Sequence, residues 1–142
     1  FTAAVYTLGE TLPLRLAEFA RQQLTRHARK ARQLAKRHAD LSPAERHKMR
    51  IAFKKLRYTL EFLAPLAKPS QLRPYLTALA RLQDELGQIN DHVTAENMVA
   101  KAIGNGSNHA IQAWINGRHA LLIERLGEAL QTWLAQRLPK GV

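Results

Sequence analysis

Apolar residues recur at helical spacing through most of this chain. Between residues 12 and 39, Leu12, Leu16, Ala20, Leu24, Ala31 and Leu34 fall on one stripe, which predicts a first amphipathic helix. His27 and His38 fall on the same stripe, where a histidine serves either as a core residue satisfied by a neighbour or as a ligand. Residues 1–11, around Gly9, show no long period and are expected to be a connector. After Asp40-Leu41 a second helix starts sharply. Ser42 can cap the amide of Glu45, Glu45 can reach back, and Pro43 suits the first helical position. Met49, Ala52, Phe53, Leu56, Leu60 and Leu63 then share a core face, and the helix is expected to end near Ala67, where Pro65 and Lys68-Pro69-Ser70 disrupt it.

A third helix is expected over 71–86, on Leu72, Leu76, Leu79, Leu82 and Leu86, closed by Gly87 as a left-handed cap. Asn90 and Asp91 offer side-chain caps for a fourth helix over 90–103, with Val93, Met98, Val99 and Ala102 as partial core. Capping is one role for Asp91 and ligand binding another, but a carboxylate would repel an anion. A Gly104-Asn105-Gly106-Ser107 loop leads to a fifth helix over 108–138, carrying Ile111, Ile115, Leu122, Leu126, Leu130 and Trp133. Gly117 and Gly127 weaken that helix unless something packs closely there, and Pro139 closes it. The expectation is an all-α, antiparallel bundle of about five helices forming a single domain over residues 1–142.

The polar positions change the picture. On the second helix His47, Arg50, Lys54, Arg57, Tyr58 and Glu61 form a stripe about 130° from the core stripe by helical geometry. Like charges one turn apart repel, and a long polyanion along this wall would relieve that repulsion. A solvated helix face is the plainer reading. Solvated faces usually mix both signs, however, and no acid occurs from Arg46 to Arg57. The chain carries +11 overall, from 22 Lys and Arg against 11 Asp and Glu, and residues 15–57 hold 14 of the basic and 3 of the acidic side chains. On the first helix Arg26, Lys30 and Arg37 lie on one flank, able to join the wall, whereas Arg29, Arg32 and Lys36 point away. His119 sits at the edge of the last apolar stripe, beside Arg118. Such a field attracts polyanions in a salt-dependent way.

The string H-K-M-R-I-A-F-K-K-L-R-Y-T-L-E-F-L, followed by L-Q-D-E-L-G-Q-I-N-D-H-V, resembles the second half of a CHAD domain, the conserved histidine α-helical domain. The resemblance implies a two-bundle all-helical fold of which this chain is one half, packing against a first half. It also implies that His47, Arg50, Lys54, Arg57 and Tyr58 match the family's basic, polyphosphate-binding signature, with Lys55 in a usually basic place. Arg26, His27, Lys30, Arg37 and His119 are possible additions. Ser42, Gly87, Asn90 and Asp91 take structural roles, the last three in the second block. Some members accompany a triphosphate tunnel enzyme, so this segment is expected to be an accessory domain and not itself an enzyme. No basic block of the first half precedes it, and the start at Phe1 suggests a segment of a longer protein.

The remaining chemistry narrows the function classes. With no cysteine, no disulfide or thiolate site exists, which suits a cytoplasmic protein, and the resemblance implies an association with polyphosphate granules. No apolar run reaches the roughly 18 residues of a membrane span. His92 with Glu96 is the one His and carboxylate pair a helical turn apart, too few ligands for a metal, and neither metal nor cofactor is expected. The expected partner is inorganic polyphosphate or a similar phosphate-rich polyanion. The alternatives are nucleic-acid backbone, as a competitor, and an acidic protein docked on a scaffold half. The nine aromatics do not interleave with the basic residues apart from Tyr58, and most fall at core positions, which disfavours single strands.

Overall fold

Four α-helices follow one another as α1 (Thr2–Lys36), α2 (Pro43–Phe62), α3 (Pro69–Ile103) and α4 (His109–Leu134), with short 3-10 turns at His38–Asp40 and Ala64–Leu66. The computed structural model describes residues 2–104, 106 and 108–142, and side chains from Leu14 onward within those ranges. No strand occurs among the described residues, so the fold is all-α. Each helix runs antiparallel to the next. α1 packs on α2, α2 on α3, α3 on α4, and α4 returns to α1, which closes a four-helix bundle.

The centre is Trp133 of α4, fully buried. Phe53 of α2 meets it edge-on at 4.8 Å between ring centres, and Tyr75 of α3 lies 6.3 Å away. From α1 the Arg32 guanidinium covers the same ring at 5.2 Å. All four helices therefore converge on one indole. The α2 stripe of Met49, Ala52, Phe53, Leu56, Leu60 and Leu63 is buried as its spacing implies. Ser42 caps α2 reciprocally: the Glu45 amide donates to Ser42 Oγ at 3.2 Å, and the Ser42 amide donates to Glu45 Oε2 at 2.9 Å.

Several expectations need correction. The third and fourth helices are one, because Gly87 is not left-handed and α3 runs through it; the positive-φ glycines are Gly104 and Gly141. Ile89 and His92 continue the buried stripe, and their packing outweighs the roughly 1 kcal/mol penalty of a mid-helix glycine. Gly87 is thus no cap, and Asn90 and Asp91 are helix interior, not caps. Among the described residues the bundle has four helices instead of five. Helix α1 begins at Thr2 where a connector was expected over 1–11; Phe1 lies outside the described residues, as do Asn105 and Ser107 of the expected loop.

Helix α2 ends at Phe62, before Pro65, and α4 stops at Leu134, short of Leu138. The core stripe of α1 consists of Ala20, Leu24, Ala28, Ala31 and Ala35; Leu16 is exposed and Leu34 only half-buried. Small alanines there allow α2 and α4 to approach closely. Met98 is exposed, not partial core. Gly127 does answer a close approach, since a Cβ there would lie 3.2 Å from His38 Nε2, whereas Gly117 faces open space. No helix among the described residues is long and apolar enough to cross a membrane.

Candidate functional site

The ladder of apolar residues on α2 fixes which way its basic side chains point. With Phe53 and Leu56 turned inward, His47, Arg50 and Lys54 lie on the outer face and are exposed. His47 and Arg50 stand at a shallow cleft of about 70 Å³ between α2 and α3, whose other wall is Leu86, Ile89, Asn90 and Val93. The two sequence blocks, far apart along the chain, thus meet in one place. Asn90 contributes an exposed amide to the rim of this cleft, while Asp91 is exposed and lines a different one with His92 and Arg118.

Ion pairing separates these cations into free and held ones. Among the described residues no carboxylate pairs with Arg50, Lys54 or Lys55, whereas Arg37, Arg57, Arg81 and Arg125 each have one. Arg57 is half-buried and doubly held, since Nε donates to Glu61 Oε1 at 2.9 Å and Nη1 to Gln83 Oε1 at 2.6 Å. Gln83, the second residue of the second block on α3, carries no periodic signal in the sequence that marks it as the partner of Arg57. Arg57 therefore ties α2 to α3, with two of its five N–H donors engaged within the protein. Lys54 Nζ lies 5.7 Å from the ring centre of Tyr58, which holds the ammonium over an exposed aromatic face.

Lys55 lies off this face and belongs with α1. There the imidazole of half-buried His27 is held below its ordinary pKa, first by burial and then by the charges of Lys55, Arg26 and Lys30. Arg37, expected to extend the wall, instead donates to Glu45 Oε1 at 2.8 Å. The Ser42 amide and then Arg37 hold the Glu45 carboxyl below the usual carboxylate range. The basic residues thus form two clusters: His47, Arg50 and Lys54 outside, and Arg26, Lys30 and Lys55 around His27.

His119 is in neither. It faces His92 across the α3/α4 seam, ring centres 5.8 Å apart, and His92 Nε2 and His119 Nδ1 are both buried without a hydrogen-bond partner. Arg32, expected to point away from the apolar stripe, is half-buried: besides covering Trp133 it donates to Leu134 O at 3.2 Å and to Gln136 O. Arg29 and Lys36 are exposed as expected. Among the described residues no three His, Asp or Glu side chains are grouped to hold a metal ion. Tyr58 is exposed beside the basic residues as expected, but Phe19, Phe62 and Trp114 are also exposed where core positions were expected.

No curated protein and no solved structure matches this chain. A family model described as the CHAD domain matches residues 3–100, which take in nearly all of α1, α2 and α3 and leave α4 outside. That span carries both basic clusters and both sequence blocks and covers well over half of the 142 residues, so the chain belongs to the CHAD domain family.

Proposed function

We propose that this chain is a binding module for inorganic polyphosphate or a similar phosphate-rich polyanion, and that it acts by capture without turnover. The observation that carries this reading is clustering: α2 has no acid from Arg46 to Arg57, its outer face exposes His47, Arg50 and Lys54 together, and among the described residues no carboxylate pairs with Arg50, Lys54 or Lys55. A polyanion supplies the missing counter-charge. His47 and Tyr58 adjoin Arg50 and Lys54, adding donors a phosphate oxygen can use, and Arg57 contributes chiefly by fixing α2 against α3. Within this proposal a first half of the domain packs beside this one and completes the surface, and any enzyme is a separate domain.

A second reading has one observation behind it. Tyr58, Phe19 and Phe62 are exposed, Tyr58 beside Lys54, and single-stranded nucleic acid binds by stacking on such rings. Competition at matched charge and salt among polyphosphate, single-stranded and duplex DNA, and an acidic peptide separates the readings. The proposal expects polyphosphate to displace all the others; preferential retention of single-stranded DNA would replace it with the second reading.

A further inference from the structure

The outer side of the α1/α2 pair carries a groove with two different ends. Near the start of the described side chains it is apolar: Leu16, Phe19 and Phe62, with Tyr58, are 50%, 57%, 56% and 56% exposed, and with Ala20, Gln23 and Thr59 they line a cavity of about 330 Å³. One to two turns further on along the same helix pair, half-buried His27 of α1 lies within the charge field of Lys55 on α2 and of Arg26 and Lys30 on its own helix, all three exposed. From Leu16 to Lys30 this surface extends about 21 Å at the helical rise of 1.5 Å per residue. Large exposed side chains around a concavity are unusual on a solvated face and mark an interaction surface.

We propose that this groove docks an amphipathic helix of a protein partner, with large apolar side chains at one end and acidic side chains two turns along the same face. Two antiparallel helices present parallel ridges with a channel between them, a shape that a third helix fills. The apolar end takes leucine or phenylalanine spaced one turn apart. The groove end, with Arg26, Lys30 and Lys55 and no carboxylate paired to Lys55 among the described residues, selects acids by charge complementarity. A bilayer fits less well, because the apolar side chains surround a hollow and the charges lie beyond one end of it. The docked helix uses a surface beside the polyphosphate site and shares Tyr58 and Lys55 with it, so a phosphate polyanion should displace the helix.

The test uses the whole chain and a designed helical peptide of about 18 residues, with Leu and Phe at i, i+3, i+4 and i+7 followed by Glu on the same face. Phe19→Ser with Phe62→Ser should weaken peptide binding by at least about tenfold, as loss of apolar anchors does, and leave polyphosphate affinity unchanged. Lys30→Glu with Lys55→Glu should weaken the peptide similarly. Both phenylalanines are exposed, so circular dichroism and melting should match the parent chain. Equal binding by a peptide whose Leu and Phe are replaced by Ser would overturn the proposal, since it would mean charge alone. So would unchanged binding in the phenylalanine variant, or displacement of the peptide by anionic vesicles at lower concentration than by polyphosphate.

Discussion

Arg32 of α1 and Trp133 of α4 form the joint on which the bundle closes, the guanidinium lying 5.2 Å from the ring centre while its nitrogens take the carbonyls of Leu134 and Gln136. Those carbonyls belong to the last turn of α4 and just beyond, where backbone acceptors lack helical partners. Arg32→Met keeps the aliphatic cover over the indole and removes the donors and the charge. It should lower unfolding free energy by about 1–3 kcal/mol, the range for charged hydrogen bonds with a cation–π contact. Arg32→Lys should recover only part of that, because an ammonium cannot reproduce the fork. Urea titrations of the three proteins check this; an Arg32→Met midpoint equal to the parent's would mean the contact adds nothing.

Glycine substitutions distinguish a continuous α3 from two helices. At Gly87 φ is not positive and an added Cβ meets nothing within 4 Å, so Gly87→Ala should raise stability by about 0.5–1 kcal/mol. A left-handed cap there would give the opposite sign. Gly104, at φ 65° and ψ −138°, occupies a region that only glycine tolerates, and Gly104→Ala should lose more than about 1 kcal/mol. Gly127→Ala should fall between the two, since its Cβ must displace the His38 ring. Thermal melts measure all three.

These glycines also show why the sequence was only partly legible. Gly87 followed by Asn90-Asp91 carries the local signals of a stop and a restart, and local signals are what sequence periodicity weighs. The decision for one helix comes from α4, whose Ile115 and Leu122 are buried in the same bundle as Ile89 and His92 on α3; that is a tertiary effect. Likewise Leu16 reads as core by spacing, but α2 ends at Phe62 and no described helix buries Leu16. By contrast the Ser42 box and the α2 stripe needed no distant information and were legible in full. The outer position of His47, Arg50 and Lys54 followed from that stripe. The pairing of Arg57 with Gln83 and of Arg37 with Glu45 did not, since both depend on which helix lies opposite.

The free cations predict how polyphosphate binding should respond to mutation. Arg50→Glu with Lys54→Glu should reduce affinity by more than about tenfold and flatten its salt dependence, each lost phosphate contact taking somewhat less than one unit from the log–log slope. Arg29→Glu with Lys36→Glu changes net charge equally on exposed residues of the other flank and should weaken binding far less. Equal losses would indicate a diffuse film of charge. Arg57→Ala should differ in kind, lowering stability by about 1 kcal/mol through the lost Gln83 bond, because the Glu61 pair is exposed and contributes little. Calorimetric titration against polyphosphate across a salt series, beside urea unfolding, reads both effects.

His27 supplies a pH signature for the α1/α2 groove. Burial first, then Lys55 on α2 and Arg26 and Lys30 on its own helix, hold its imidazole below the ordinary value of about 6.5. The unfolded chain therefore takes up this proton before the folded one does. The stability associated with neutral His27 is fully present above about pH 6.5 and is lost as pH falls from there through the folded value. His27→Gln should remove that slope between about pH 8 and pH 5.5, a window around the free imidazole value. Glu45 does not confuse the measurement, since the Ser42 amide and Arg37 keep its carboxylate ionised well below the window. An anion in the groove acts in the opposite sense, because its charge favours imidazolium and offsets the three cations. Polyphosphate and the acidic peptide should each bind with proton uptake, their affinities rising as pH falls through the same window, and His27→Gln should reduce both increments. His47→Gln is the control for the outer cluster: if it, and not His27→Gln, flattens the affinity slope, polyphosphate lies on the outer face of α2 and leaves the groove to the helix partner.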